Sequence, residues 1–131
     1  MTERRYLEPA GVGPATDPFT HVIVCGDTVY VAGQISLDVD NNLVGIGDPS
    51  AQAEQCWKNI ERCVQAAGCE VTDIVKMTIF LKDIRHASAE TTVRRRYFPP
   101  DRLPVCTQVQ VANLGFPELL MEIDVIAHRP S

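Results

Sequence analysis

No run of apolar residues in this 131-residue chain approaches the roughly 20 that a membrane-crossing helix needs. The opening stretch, MTERRYLEPAG, has no apolar core and is not expected to act as a secretory signal. Basic charge is scarce: 12 Lys and Arg stand against 17 Asp and Glu, a net charge of -5. That balance argues against nucleic-acid or membrane partners. The one basic cluster, Arg94-Arg95-Arg96, reads as a solvated helix face. The alternative is that one of its arginines reaches a cleft and offers a carboxylate anchor. Paired cysteines are lacking too. Cys25, Cys56, Cys63, Cys69 and Cys106 form no C-x-x-C unit, and their number is odd. This excludes a disulfide framework, gives a zinc site no support from spacing, and suits reduced thiols in a cytoplasmic protein.

What is present is an ordinary single-core composition, 45% hydrophobic and 22% charged, and we expect one domain over residues 1–131. Residues 1–20 read as a surface lead-in. His21–Cys25 and Thr28–Ala32 are short β-branched runs joined by Gly26-Asp27, a two-residue hairpin whose leading Gly predicts a type II′ turn. Asp38–Gly47 is turn chemistry around a short Leu-Val stretch that is at most a brief third strand. Gly45-x-Gly47 superficially resembles a phosphate loop but lacks the Lys and the preceding strand.

Asp48-Pro49 then opens a helix as N-cap and first helical residue, and Gly68 closes it. Between them Ala53, Cys56, Trp57, Ile60, Cys63, Val64 and Ala67 make one apolar stripe. Gln52, Glu54, Lys58, Glu61 and Gln65 fall mostly on the wet side. Ile74–Leu81 reads as a buried strand, and His86–Phe98 as a second helix ending before Pro99-Pro100. Val105–Val111 alternates strictly, with Cys106, Gln108 and Gln110 on one face; Leu120–Ala127 closes the chain with Glu122 and Asp124 on one face. The order β-β-(β)-α-β-α-β-β implies an α+β fold: one mixed sheet with two helices on one face. The other sheet face, expected to carry Gln108, Gln110, Glu122 and Asp124, is left for a second chain to cover.

Six short motifs occur in order: Gly33-Gln34-Ile35; Gln52-Ala53 with Asn59-Ile60; Ala66-Ala67-Gly68; Val75–Asp83; Tyr97-Phe98; and Glu122–Ala127. Together they resemble the Rid family (YjgF, L-PSP) along nearly the whole chain. The resemblance implies a chorismate-mutase-like fold, a homotrimer with clefts between subunits, and hydrolysis of small imines or enamines such as 2-aminoacrylate to 2-keto acids and ammonia, without metal or cofactor. In that family an arginine in a Pro-Ala-Arg-Ser stretch grips the substrate carboxylate, and a glutamate of the last strand orients the water.

Carried over residue by residue, the resemblance implies that Glu122 is that glutamate and Gly33 the glycine near the carboxylate. Phe19 stands where a tyrosine is usual, Ala32 where a serine or threonine is, and Thr91 where an asparagine is. Cys106, after Pro104-Val105, takes the arginine's place, and Gln108 shares its strand face. The expected site is therefore Glu122 and Cys106 as catalytic candidates, with Phe19, Ala32, Gly33, Thr91 and Gln108 around a small-molecule substrate. The bland readings are an ion-paired interface carboxylate for Glu122 and a small packing residue for Cys106. His21, His86 and His128 read as surface or hydrogen-bonded histidines. Losing a two-pronged anchor costs a carboxylate substrate about 2–5 kcal/mol, so weak activity on 2-aminoacrylate is expected. Two functions follow: a diverged Rid-type hydrolase, or a non-catalytic trimer that binds a metabolite or a protein.

Overall fold

The structure, a computed structural model, describes residues 3–130. Six strands, β1 (Arg4–Leu7), β2 (Val22–Cys25), β3 (Thr28–Gln34), β4 (Ile74–Leu81), β5 (Val105–Gln110) and β6 (Met121–His128), form one sheet in the order β1-β2-β3-β6-β4-β5. Only the β4–β5 pair is parallel, because the chain between them crosses over through a helix. Two helices, α1 (Pro49–Ala66) and α2 (Ala87–Arg94), complete the α+β fold.

The β2–β3 hairpin turns at Gly26, whose φ of 58° is positive while that of Asp27 is not, as a leading Gly requires. At the start of α1, the Asp48 side chain accepts the Ala51 N–H at 3.1 Å and Pro49 occupies the first turn; Gly68, φ 81°, follows its C-cap. The predicted stripe of α1 is buried throughout, against Val29 and Val31 of β3, Met77, Ile79 and Leu81 of β4, and Ile123 and Val125 of β6. Each such aliphatic side chain stabilises the fold by about 1.5–3 kcal/mol. Trp57 ties α1 to the end of α2, stacked on Tyr97 with centroids 5.6 Å apart and edge-on to Phe98.

Four expectations need correction. The lead-in contains a strand: Arg4–Leu7 pairs with β2, and its side chains are almost all exposed. Backbone pairing rather than burial makes it, and its two arginines suit a sheet edge. The Leu-Val stretch forms only an isolated bridge, Leu37 to Leu43. Gln52 is fully buried, not wet. Its amide donates to the Gly45 and Glu118 carbonyls at 3.1 and 3.0 Å and accepts the Leu120 N–H at 2.8 Å, sewing two loops to the helix. Finally, α2 stops at Arg94; Arg96 and Tyr97 continue in tighter turns, bonded to the carbonyls of Val93 and Arg94.

Candidate active site

The register of β3 against β6 slips between Val31 and Gln34, a bulge that carries Gly33 onto Glu122. A Cβ on Gly33 would come within 2.7 Å of the Glu122 Cδ and 2.8 Å of its Cγ. Only a hydrogen fits there. Glu122 and Asp124 alternate with the core residues Ile123 and Val125, so both point to the sheet face without helices, as do their β4 partners Phe80 and Thr78. Burial, and then the like charge of Asp124, pushes the Glu122 carboxyl above its ordinary range.

Beside Glu122 lies a cavity of about 190 Å³. Val12, Phe19, Ile35, Leu37 and Phe116 give it apolar walls, and Asp17, His21 and Glu122 are its ionisable lining. Its frame is hydrogen-bonded. The Gly13 carbonyl can only accept, so His21 carries its proton on Nε2 (2.9 Å), and the Gln34 amide donates to Nδ1 at 3.1 Å. The Phe19 ring meets His21 edge-on with centroids 5.2 Å apart. On the far wall Asn59 donates to the Ile35 and Leu37 carbonyls at 3.1 and 2.9 Å, and Asn41 donates to the Pro14 carbonyl at 3.0 Å. His21 is thus the buried, hydrogen-bonded histidine expected. The lining loop, residues 12–17, and Gln34, Asn41, Asn59 and Phe116 were not singled out as site residues. Only Gln34 and Asn59 stood inside quoted motifs, and the loop is legible only once folded against β3.

Of the candidates, Phe19, Gly33 and Glu122 line this cavity together, and Ala32 sits beside Gly33 without lining it. The other three lie elsewhere. In the parallel β4–β5 register Cys106 pairs with Met77, Gln108 with Ile79 and Gln110 with Leu81, all core residues. Cys106, Gln108 and Gln110 therefore point to the helix side of the sheet. The expectation that Gln108 and Gln110 share a face with Glu122 and Asp124 is wrong. Alternation gives the faces within each strand, but the phase between two strands is set by pairing, which alternation does not reveal. Val105, Thr107 and Val109 occupy the open face instead.

Cys106 meets the end of α2, where Arg94 and Thr91 lie. Glu90, fully buried, accepts from Trp57 Nε1 at 2.9 Å and from Arg94 Nε and Nη2 at 3.0 and 2.5 Å. Arg94 Nη2 also lies 3.5 Å from the Thr91 hydroxyl. The Arg94 side chain is 16% exposed, so it is not part of a solvated face. Arg95 and Arg96 are exposed as expected, Arg96 paired with Glu54. The guanidinium of Arg94 neighbours the Cys106 thiol and draws its pKa down, but burial outweighs it and the net direction is up.

The Endoribonuclease L-PSP family profile matches residues 11–129. The chain belongs to the Rid (YjgF, L-PSP) family. It is 34% identical to the RutC family protein UK114 of Drosophila melanogaster over 124 residues, 95% of this chain and 88% of that one. It is 31% identical to the human 2-iminobutanoate/2-iminopropanoate deaminase, over 85% of this chain and 80% of that protein. Among solved structures, the Rid-family protein YyfA of Yersinia pestis superposes with a TM-score of 0.90 at 31% identity, covering 96% of this chain and 99% of that one. The match to this Rid-family structure confirms the α+β fold, and no described helix is long and apolar enough to cross a membrane.

Proposed function

We propose that this Rid-family chain hydrolyses small imines, and enamines after tautomerisation, releasing ammonia, with Glu122 as the proton-transferring group. The observation that carries this reading is a carboxyl pushed up in pKa at the edge of a small, largely apolar cavity, its side chain packed directly on Gly33. The human relative bears the name of an imine deaminase.

The chemistry asked of the site is modest. Glu122 takes a proton from water as its oxygen attacks the imine carbon. The C=N electron pair moves to nitrogen, which takes that proton from Glu122. The carbinolamine then collapses: Glu122 takes its hydroxyl proton and passes it to the amino nitrogen as the C–N bond breaks, so the carbonyl forms and ammonia leaves. A raised pKa suits a group that must both take and return a proton. Cys106 has no part in these steps, because it lies on the helix side of the sheet and does not line the cavity.

The working unit in this reading is a homotrimer. The open sheet face exposes Tyr30, Val75, Val105 and Val109 around Glu122 and Asp124, a patch that invites a second copy. A non-catalytic, ligand-binding trimer is the second reading, favoured by the lack of any Lys or Arg among the residues lining the cavity. The two separate in one assay: an imine generated in situ from an amino acid, with ammonia release followed for the protein and for Glu122→Gln. The enzyme reading expects turnover that falls by about 10²–10⁴-fold in the variant. Turnover undiminished by the change, or none in either protein, overturns it.

A further inference from the structure

The charge lining the Glu122 cavity is all of one sign. Exposed Asp17 and half-buried Glu122 are its two carboxylates, and no Lys or Arg of the described residues lines it. Its buried side-chain donors are already taken. His21 binds the Gly13 carbonyl through Nε2, Gln34 donates to His21 Nδ1 and to the Ala32 carbonyl, and Asn59 donates to two carbonyls. A carboxylate that enters this cavity leaves water, meets two like charges and finds no cation to offset either cost. An imine nitrogen meets the opposite situation. It gains positive charge as it takes up a proton, and nearby carboxylates favour that charge. The rings of Phe19 and Phe116 and the side chains of Val12 and Leu37 give an alkyl or aryl group an apolar wall.

We infer that this cavity selects imines that carry no carboxylate, such as those formed from simple alkyl or aryl amines, and that Asp17 is the residue that turns anions away. The inference rests on the hydrolase reading for the reaction but not for the charge preference, which binding alone reports. It also gives the weak activity expected on 2-aminoacrylate a second cause. Beyond the arginine missing at Cys106, the cavity wall itself opposes the substrate's carboxylate. Imines derived from amino acids remain substrates, but slow ones.

The test compares three probes of one skeleton and three charges: butyramidinium, butyramide and butyrate. The amidinium is planar and positive, like the imine as its nitrogen gains a proton. In NMR titrations of the full-length protein, butyramidinium should bind about tenfold or more tighter than butyrate, with butyramide between. Asp17→Asn should narrow that gap about threefold or more, and Asp17→Lys should narrow it further by strengthening butyrate. Asp17 is exposed, so neither change threatens the fold. Butyrate that binds as tightly as butyramidinium, a gap that both Asp17 variants leave unchanged, or no binding of any probe overturns the inference. Turnover is then compared for the imine made from butylamine by an amine oxidase and for 2-iminobutanoate made from 2-aminobutyrate by an amino-acid oxidase. The first should be favoured about tenfold or more in kcat/KM. Preference for 2-iminobutanoate overturns the inference and leaves the hydrolase reading standing. Charge-selective binding without turnover of either imine upholds the selection and sinks the hydrolase reading alone.

Discussion

Gly33 and Glu122 touch so closely that no side chain fits between them: a methyl group on Gly33 would sit 2.7 Å from the glutamate's carboxyl carbon. The contact fixes where the carboxylate stands relative to the β3 bulge. Gly33→Ala should push the Glu122 side chain aside. A displacement of that size costs activity about a hundredfold, while overpacking costs about 1–3 kcal/mol of stability. Steady-state kinetics beside urea unfolding measures both. A variant that loses stability and keeps full activity would show that the contact is packing only.

The Glu122 carboxyl lies above its ordinary range because of burial first and the Asp124 charge second. If the ionised form takes the proton from water, kcat/KM falls as pH drops through that raised pKa. Asp124→Asn removes a like charge, so the acid limb of the pH profile should move to lower pH. It should stop short of the ordinary carboxylate value, because burial persists. A limb that stays in place would assign it to another group.

Buried Glu90 joins α1 to α2 through Trp57 and Arg94. Glu90→Ala leaves the indole N–H unpaired and the guanidinium without its partner, so it should cost about 3 kcal/mol. Glu90→Gln/Arg94→Gln, which removes both charges and keeps the shape at position 90, should cost clearly less. Urea midpoints at unchanged m-value decide this. Equal losses would mean that the pair acts by packing alone.

The elements with strong periodicity or caps were readable from the residues. β4 over Ile74–Leu81 has the predicted bounds, and α1 runs from the predicted Asp48 cap to the predicted Gly68 stop. The β1 strand was not readable, because Arg4-Arg5-Tyr6 carries no burial signal and only pairing with β2 makes it a strand. Gln52 was misassigned because a buried glutamine and a wet one look alike until loop carbonyls surround it. At the site, Phe19, Gly33 and Glu122 do come together. Cys106, Thr91 and Gln108, the other expected companions, belong to the helix side of the sheet, with Arg94. Within one chain the two groups remain apart.

The most direct test of the central claim is ammonia release from an imine generated in situ, measured for the protein and for Glu122→Gln. Turnover should fall by about 10²–10⁴-fold in the variant; turnover undiminished by the change, or none in either protein, would contradict Glu122 as the proton-transferring group.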